Sequence, residues 1–172
     1  MAVALLVPGT GLGLETALAE SIIKNINISS TPVGVAFNPS NGYTYATNAD
    51  LGTVSVIDSS TNTVMKNIHV GSHPRGIAFD PDNGNLYVAN EGSYTVSVID
   101  GSTNEVIKDI PVGLQPSAIV FDPNSSNMYV ANQYSKTVSV IDSSTNTVID
   151  TVPMDERTSI PISVRLSSQT VA

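Results

Sequence analysis

Phe37, Phe79 and Phe121 recur every 42 residues, and Asp58, Asp100 and Asp142 keep the same register. One unit is written three times: FNPSNGYTYATNADLGTVSVIDSSTNTVMKNIHVG, FDPDNGNLYVANEGSYTVSVIDGSTNEVIKDIPVG and FDPNSSNMYVANQYSKTVSVIDSSTNTVIDTVPMD. A repeat of this length folds by stacking one supersecondary unit on the next, because a single unit cannot bury its own apolar face. No 3.6-residue period runs inside the unit, which reads as four short strands separated by turns. In the middle copy the strands are Gly76–Phe79, Leu86–Asn90, Thr95–Asp100 and Val106–Val112. Pro81 presets φ for the first turn, and Asn83-Gly84 supplies residues that tolerate positive φ. The segment Gly113–Pro116 is long enough to cross to the next unit.

The expected fold is therefore all-β, built of β-propeller blades. Three complete four-stranded blades with partial strands at both ends make an incomplete ring, since closed rings take roughly 4–8 blades. The Gly-Ile-Ala-Phe strand should be innermost, with Gly34, Ala36, Gly76, Ala78 and Ala118 small because blades crowd toward the axis. Phe37, Phe79 and Phe121 should fill the space between neighbouring blades. The repeat region spans residues 20–154, with Ser21–Ile28 aligning to a fourth strand that lacks its first three. Residues 1–19 are apolar from Ala2 to Val7 and end in Ala17-Leu18-Ala19, the pattern of a secretory signal, though no basic residue precedes Lys24. An N-terminal arm is the other reading of that stretch. Residues 155–172 form a C-terminal tail in which Ile160–Leu166 alternates well enough for one strand.

Charge removes several classes of function. Seven Lys and Arg stand scattered against 15 Asp and Glu, a net charge of −8, so nucleic acid and polybasic membrane contact are not expected. The apolar core of residues 1–19 is too short for a membrane span. With no cysteine there is no disulfide, thiolate metal site or Cys nucleophile.

The combination of P-x-G-[IV]-A-F-[ND]-P, Y-[VA]-[AT]-N and T-V-S-V-I-D-x-[ST]-T-N resembles the YVTN-type β-propeller repeat. The tetrapeptide stands at Tyr45-Ala46-Thr47-Asn48, Tyr87-Val88-Ala89-Asn90 and Tyr129-Val130-Ala131-Asn132. The resemblance covers residues 21–154 and implies a secreted or cell-surface protein, as in surface layers. It brings no set of catalytic residues. The third copy departs from the pattern with Ser125-Ser126 in place of Asn-Gly and Ala118-Ile119-Val120 in place of Gly-Ile-Ala.

No constellation of an enzyme emerges from the residues themselves. His69 and His73 lack partners at metal-ligand spacing, and no Gly-x-Ser-x-Gly elbow occurs. The acidic turn Asp80–Asn85 has its Gly one position early for an EF-type loop and lacks the closing Glu. No catalytic residue, metal site or cofactor is expected. Variation among the copies is more telling. The third-to-fourth hairpins barely change, whereas the crossovers and the second-to-third loops, which should share one face, differ in every copy. Asp50, Leu51, His73, Arg75, Glu91, Tyr94, Gln115, Gln133, Tyr134 and Lys136 are the candidate recognition residues. Asn27 and Asn124 head glycan acceptor sequons.

The expected function is a non-enzymatic secreted or cell-surface protein acting in protein interaction, adhesion or surface-coat assembly. Its partners would be other surface proteins or glycans. The alternatives are a propeller enzyme such as a lactonase or cofactor-bearing oxidoreductase, or a fragment of a longer propeller protein. Three blades leave two apolar faces bare, so self-association as a ring-closing dimer or a filament is also expected.

Overall fold

The computed structural model describes residues 25–28 and 30–154. Among the described residues twelve strands follow one another with no helix longer than the single 3-10 turn Ala49–Leu51. Blade 1 holds β1 (Pro32–Asn38), β2 (Tyr43–Asn48), β3 (Thr53–Asp58) and β4 (Thr63–His69). Blade 2 holds β5 (Pro74–Phe79), β6 (Asn85–Asn90), β7 (Thr95–Asp100) and β8 (Glu105–Pro111). Blade 3 holds β9 (Pro116–Asp122), β10 (Asn127–Asn132), β11 (Thr137–Asp142) and β12 (Thr147–Pro153). Each blade is an antiparallel meander whose spatial order is its sequence order, so short hairpins suffice.

Blades stack through their first strands: β5 lies against β1, and β9 against β5. The outer strands β4, β8 and β12 approach one another far less, so the first strand of each blade is innermost. Side chains alternate across each sheet, giving every blade a leading face toward the blade before it and a trailing face toward the next. Ala36, Tyr45, Val54, Val56 and Ile68 on the trailing face of blade 1 meet Ile77, Phe79, Leu86, Val88 and Ile99 on the leading face of blade 2. Ala78, Tyr87, Val96, Val98 and Ile110 meet Ile119, Phe121, Met128, Val130 and Ile141 in the same way. Phe79 and Phe121 thus fill the gaps between blades. Phe37 does not: it is 53% exposed, because no blade among the described residues stands before blade 1.

The small inner residues follow from the same stacking. A Cβ on Gly34 would lie 2.3 Å from the Arg75 carbonyl oxygen, and one on Gly76 would lie 3.0 Å from the Ala118 Cα. Only a residue without a side chain lets two inner strands come this close.

The tetrapeptide Asn has a role inside each blade. Asn48, Asn90 and Asn132 are buried, and their Nδ2 atoms donate to the Oγ1 of Thr53, Thr95 and Thr137 and the Oγ of Ser55, Ser97 and Ser139. This ties the second strand to the third at a buried position through the amide nitrogen, while the Oδ1 of each Asn is buried without a hydrogen-bond partner. The Thr and Ser of T-V-S-V-I-D are therefore the partners of the tetrapeptide Asn.

The third-to-fourth hairpins repeat for a local reason as well. Asp58, Asp100 and Asp142 each accept the side-chain and backbone donors of the Ser two residues on, Ser60, Ser102 and Ser144. Asn62, Asn104 and Asn146 close the turns at φ of 54°, 58° and 54°. The serine hydroxyls first, and then the backbone N–H groups, hold all three carboxyls below the usual 3.8. A depressed pKa means the turns are fully stabilised above 3.8 and lose that support as pH falls through the lower folded value. In a carboxylate NMR titration all three should titrate below 3.8. Ser102→Ala should return Asp100 toward 3.8 and leave Asp58 and Asp142 unmoved.

The partial strand expected before blade 1 is not formed over residues 25–28. The remainder of it, the reading of residues 1–19, and the tail strand over 160–166 lie outside the described residues.

Candidate recognition face

One end of the blade stack is made by the crossovers and the second-to-third loops, which backbone hydrogen bonds zip together. Glu91 N donates to His73 O, Gly92 N to Ser72 O, Gln133 N to Gln115 O and Tyr134 N to Leu114 O. In blade 1, Ala49 N donates to Thr31 O, and the Thr31 hydroxyl bonds the Asp50 carboxylate. The candidate residues are thereby gathered blade by blade: Asp50 and Leu51, then His73, Arg75, Glu91 and Tyr94, then Gln115, Gln133, Tyr134 and Lys136. An open cleft of about 350 Å³ joins the first two groups, with Asp50, Leu51, His69 and His73 in its lining. His69, at the end of β4, thus belongs to this face although it was not among the candidate recognition residues.

Not every candidate is equally available. Arg75 Nε and Glu91 Oε2 lie 2.7 Å apart and satisfy each other. His73 Nδ1 lies 2.9 Å from the Ser72 Oγ. Tyr134 is 70% exposed, and Leu51 and Tyr94 are also exposed apolar surface. Among the described residues no group of three or more His, Asp or Glu could hold a metal ion.

The backbone at these positions carries a signal absent from sequence comparison. His73, Tyr94, Gln115 and Lys136 all sit at positive φ, between 50° and 59°. Tyr94 and Lys136 occupy the blade position that blade 1 fills with Gly52, at φ 62°. A left-handed conformation costs a residue with a Cβ about 1 kcal/mol or more, so glycine is the stable choice there. Blades 2 and 3 carry a phenol and an ammonium instead.

The opposite end is built from the hairpins that scarcely vary, and Asn62, Asn104, Ser126 and Asn146 also sit at positive φ there. Its hairpins are scaffold: Asn41 Nδ2 donates to Tyr45 Oη and Gly101 O, and Tyr45 Oη donates to Asn104 Oδ1. Asn83, Tyr87, Ser143 and Asn146 repeat the pattern between blades 2 and 3. This interblade clasp explains why those hairpins scarcely vary. Of the two sequon positions, both are exposed, and Asn124 Nδ2 lies 3.2 Å from Asp122 Oδ1.

Residues 12–104 match the Choice-of-anchor I domain, more than half of the 172-residue chain. The chain belongs to the Choice-of-anchor I domain family. The anchor in that name suggests a cell-surface or secreted protein. Among solved structures this Choice-of-anchor I chain is similar to Kuenenia stuttgartiensis Hydrazine Synthase, at 28% identity and a TM-score of 0.66. The likeness covers 73% of this chain and 37% of that one, so it bears on the propeller fold and on a minor part of the other molecule. With 1012 solved chains matching, the fold is shared too widely to indicate a single function. No curated protein matches the sequence. Among the described residues no helix is long and apolar enough to cross a membrane.

Proposed function

We propose that this chain is a non-enzymatic secreted or cell-surface propeller protein of the YVTN-repeat kind, which binds a surface protein or glycan through its variable face. The observation that carries the reading is the pair Tyr94 and Lys136, bulky side chains held at a left-handed position that Gly52 fills without strain. Around them Leu51, Tyr94 and Tyr134 offer exposed aromatic and apolar area. Asp50, Gln115, Gln133 and Lys136 add hydrogen-bonding groups to the same end of the stack. Rigid aromatic rings beside adaptable polar groups suit recognition of a protein or sugar surface.

The test uses the envelope fraction of the producing cells as an immobilised probe. Tyr94→Gly and Lys136→Gly should each raise stability by about 1 kcal/mol through relief of positive φ. The same changes, with Tyr134→Ala, should weaken binding at least tenfold, whereas Ser102→Ala on the opposite end should leave binding unchanged. Unaltered binding by all three loop variants would sink the reading.

A further inference from the structure

Asn-Gly stands twice in the sequence, at Asn41-Gly42 and Asn83-Gly84, and both asparagines hold the clasp between blades. Asn followed by Gly is the pair most open to spontaneous deamidation, because no side chain hinders the glycine nitrogen from attacking the Asn Cγ. A Cβ on Gly42 or Gly84 would have nothing within 4 Å, and φ at the two is 75° and 77°. Asn83 is exposed and Asn41 half-buried, so water and hydroxide reach both turns.

In the closed structure each group that must react is held. Gly42 N donates to Asn38 O at 3.0 Å and Gly84 N to Asp80 O at 2.9 Å, which keeps the attacking nitrogen turned into its own hairpin. Asn41 Oδ1 accepts from Tyr43 N, and Asn83 Oδ1 from Asn85 N, both at 2.9 Å. The leaving nitrogen is anchored across the junction. Asn41 Nδ2 donates to Tyr45 Oη at 2.9 Å and to Gly101 O of the next blade at 2.8 Å. Asn83 Nδ2 donates to Tyr87 Oη and to Ser143 O of the next blade, each at 3.0 Å. The carboxamide therefore cannot turn toward the glycine nitrogen while the blades are joined.

We propose that Asn41 and Asn83 are deamidation sites gated by blade separation, so that opening of either junction is recorded covalently. When the clasp opens, hydroxide takes the Gly N–H proton, the nitrogen bonds to Cγ, and the Cγ–Nδ2 bond breaks to release ammonia. Water then opens the cyclic imide at either carbonyl, giving aspartate or isoaspartate. The net change is asparagine plus water to acid plus ammonia, with no oxidant or reductant. Neither product can restore the clasp. A carboxylate oxygen in place of Nδ2 cannot donate, and it repels the Gly101 or Ser143 carbonyl that the amide attracts. Isoaspartate also lengthens the backbone of the turn by one methylene. Blade 3 has Ser125-Ser126 at this place and lacks the reaction there. The inference rests on the fold and stands independently of the recognition face.

The full chain is incubated in mildly alkaline buffer, folded and in urea, and each asparagine is followed by peptide mapping with mass spectrometry. Both should react about tenfold or more slowly in the folded chain, the protection expected of a site that reacts only through local opening. Tyr87→Phe removes an acceptor of Asn83 Nδ2 and should speed Asn83 severalfold while leaving Asn41 unchanged. Tyr45→Phe should do the reverse, and Tyr129→Phe should affect neither. Equal rates in the folded and urea-treated chain would overturn the proposal. So would Tyr87→Phe speeding both asparagines alike, or neither. Asn83→Asp, which installs one product directly, should lower the urea midpoint below that of the parent. An unchanged midpoint would show that the clasp survives the reaction and would overturn the covalent record of opening.

Discussion

Tyr87→Ala should destabilise the chain by about 3–5 kcal/mol, among the largest losses expected from a single side chain here. Tyr87 is fully buried between blades 2 and 3, so truncation opens a cavity in the second core layer. It also removes the hydroxyl that bonds Asn146 Oδ1 at 2.7 Å and receives Asn83 Nδ2 at 3.0 Å. Tyr87→Phe separates the two effects: it keeps the ring and should cost about 0.5–1.5 kcal/mol, the net worth of an ordinary hydrogen bond, because Asn83 is exposed and Asn146 half-buried. Tyr129→Phe is the internal control. Tyr129 stands at the same position of blade 3, with no following blade to clasp among the described residues, and its change should move stability by less than about 0.5 kcal/mol. Urea unfolding of the three variants measures the series.

The same phenol sets an alkaline limit. Burial pushes the Tyr87 phenol above its ordinary 10.0, against the opposing hydrogen bond from Asn83. A folded pKa above the unfolded one means the contribution is whole below about 10 and is lost as pH rises through the folded value. The urea midpoint of the parent should therefore fall above pH 10, and by less in Tyr87→Phe. A Tyr129→Phe series with an equal change would show that the clasp is not the cause.

Gly34→Val should be nearly as damaging, for the opposite reason. A branched side chain would start 2.3 Å from the Arg75 carbonyl oxygen, which belongs to the neighbouring inner strand and cannot rotate away. Relief requires blades 1 and 2 to part at the axis, where Thr47 Oγ1 also bridges Gly34 N and Arg75 O at 2.8 Å each. Overpacking of this kind costs about 1–3 kcal/mol, and the upper end is expected because the obstacle is backbone. Ala118→Val at the equivalent position of blade 3 faces solvent and should change the thermal midpoint little. An equal loss at both sites would mean that strand propensity, rather than blade crowding, set the effect.

Much of this architecture was legible in the chain because each blade solves one packing problem three times. The 42-residue register located the strands, and Asn83-Gly84 and Ser102-Thr103-Asn104 located the turns, since hairpins of this length depend on local backbone preferences. The crowding of Gly34 and Gly76 at the axis followed from their lack of a side chain. Membership of one repeat, however, says nothing about what a residue touches across the gap. Tyr45 and Asn104, 59 residues apart, meet only because consecutive blades stack, and no pattern within a blade links them. The same holds for Lys66 and the Asn104 carbonyl, 38 residues away.

Sequence comparison could separate variable loops from repeated hairpins, and the fold gathers the two kinds of loop at opposite ends of the stack. It treated Arg75 and Glu91 as two free groups, whereas the crossover and loop bring them into one ion pair. It left His69 aside, although the turn of the chain from β4 into the crossover places it in the cleft with His73 and Asp50. The strain at Tyr94 and Lys136 had no sequence signature beyond Gly52 in the matching place, because φ is a property of the closed loop. The sequence by itself determined the unit, its strands, its turns and the small residues at the axis, all of which depend on interactions within about 42 residues. The tertiary structure alone decided which faces are joined, which are left bare and which loop residues stand free, since those depend on contacts between units that the repeat does not encode.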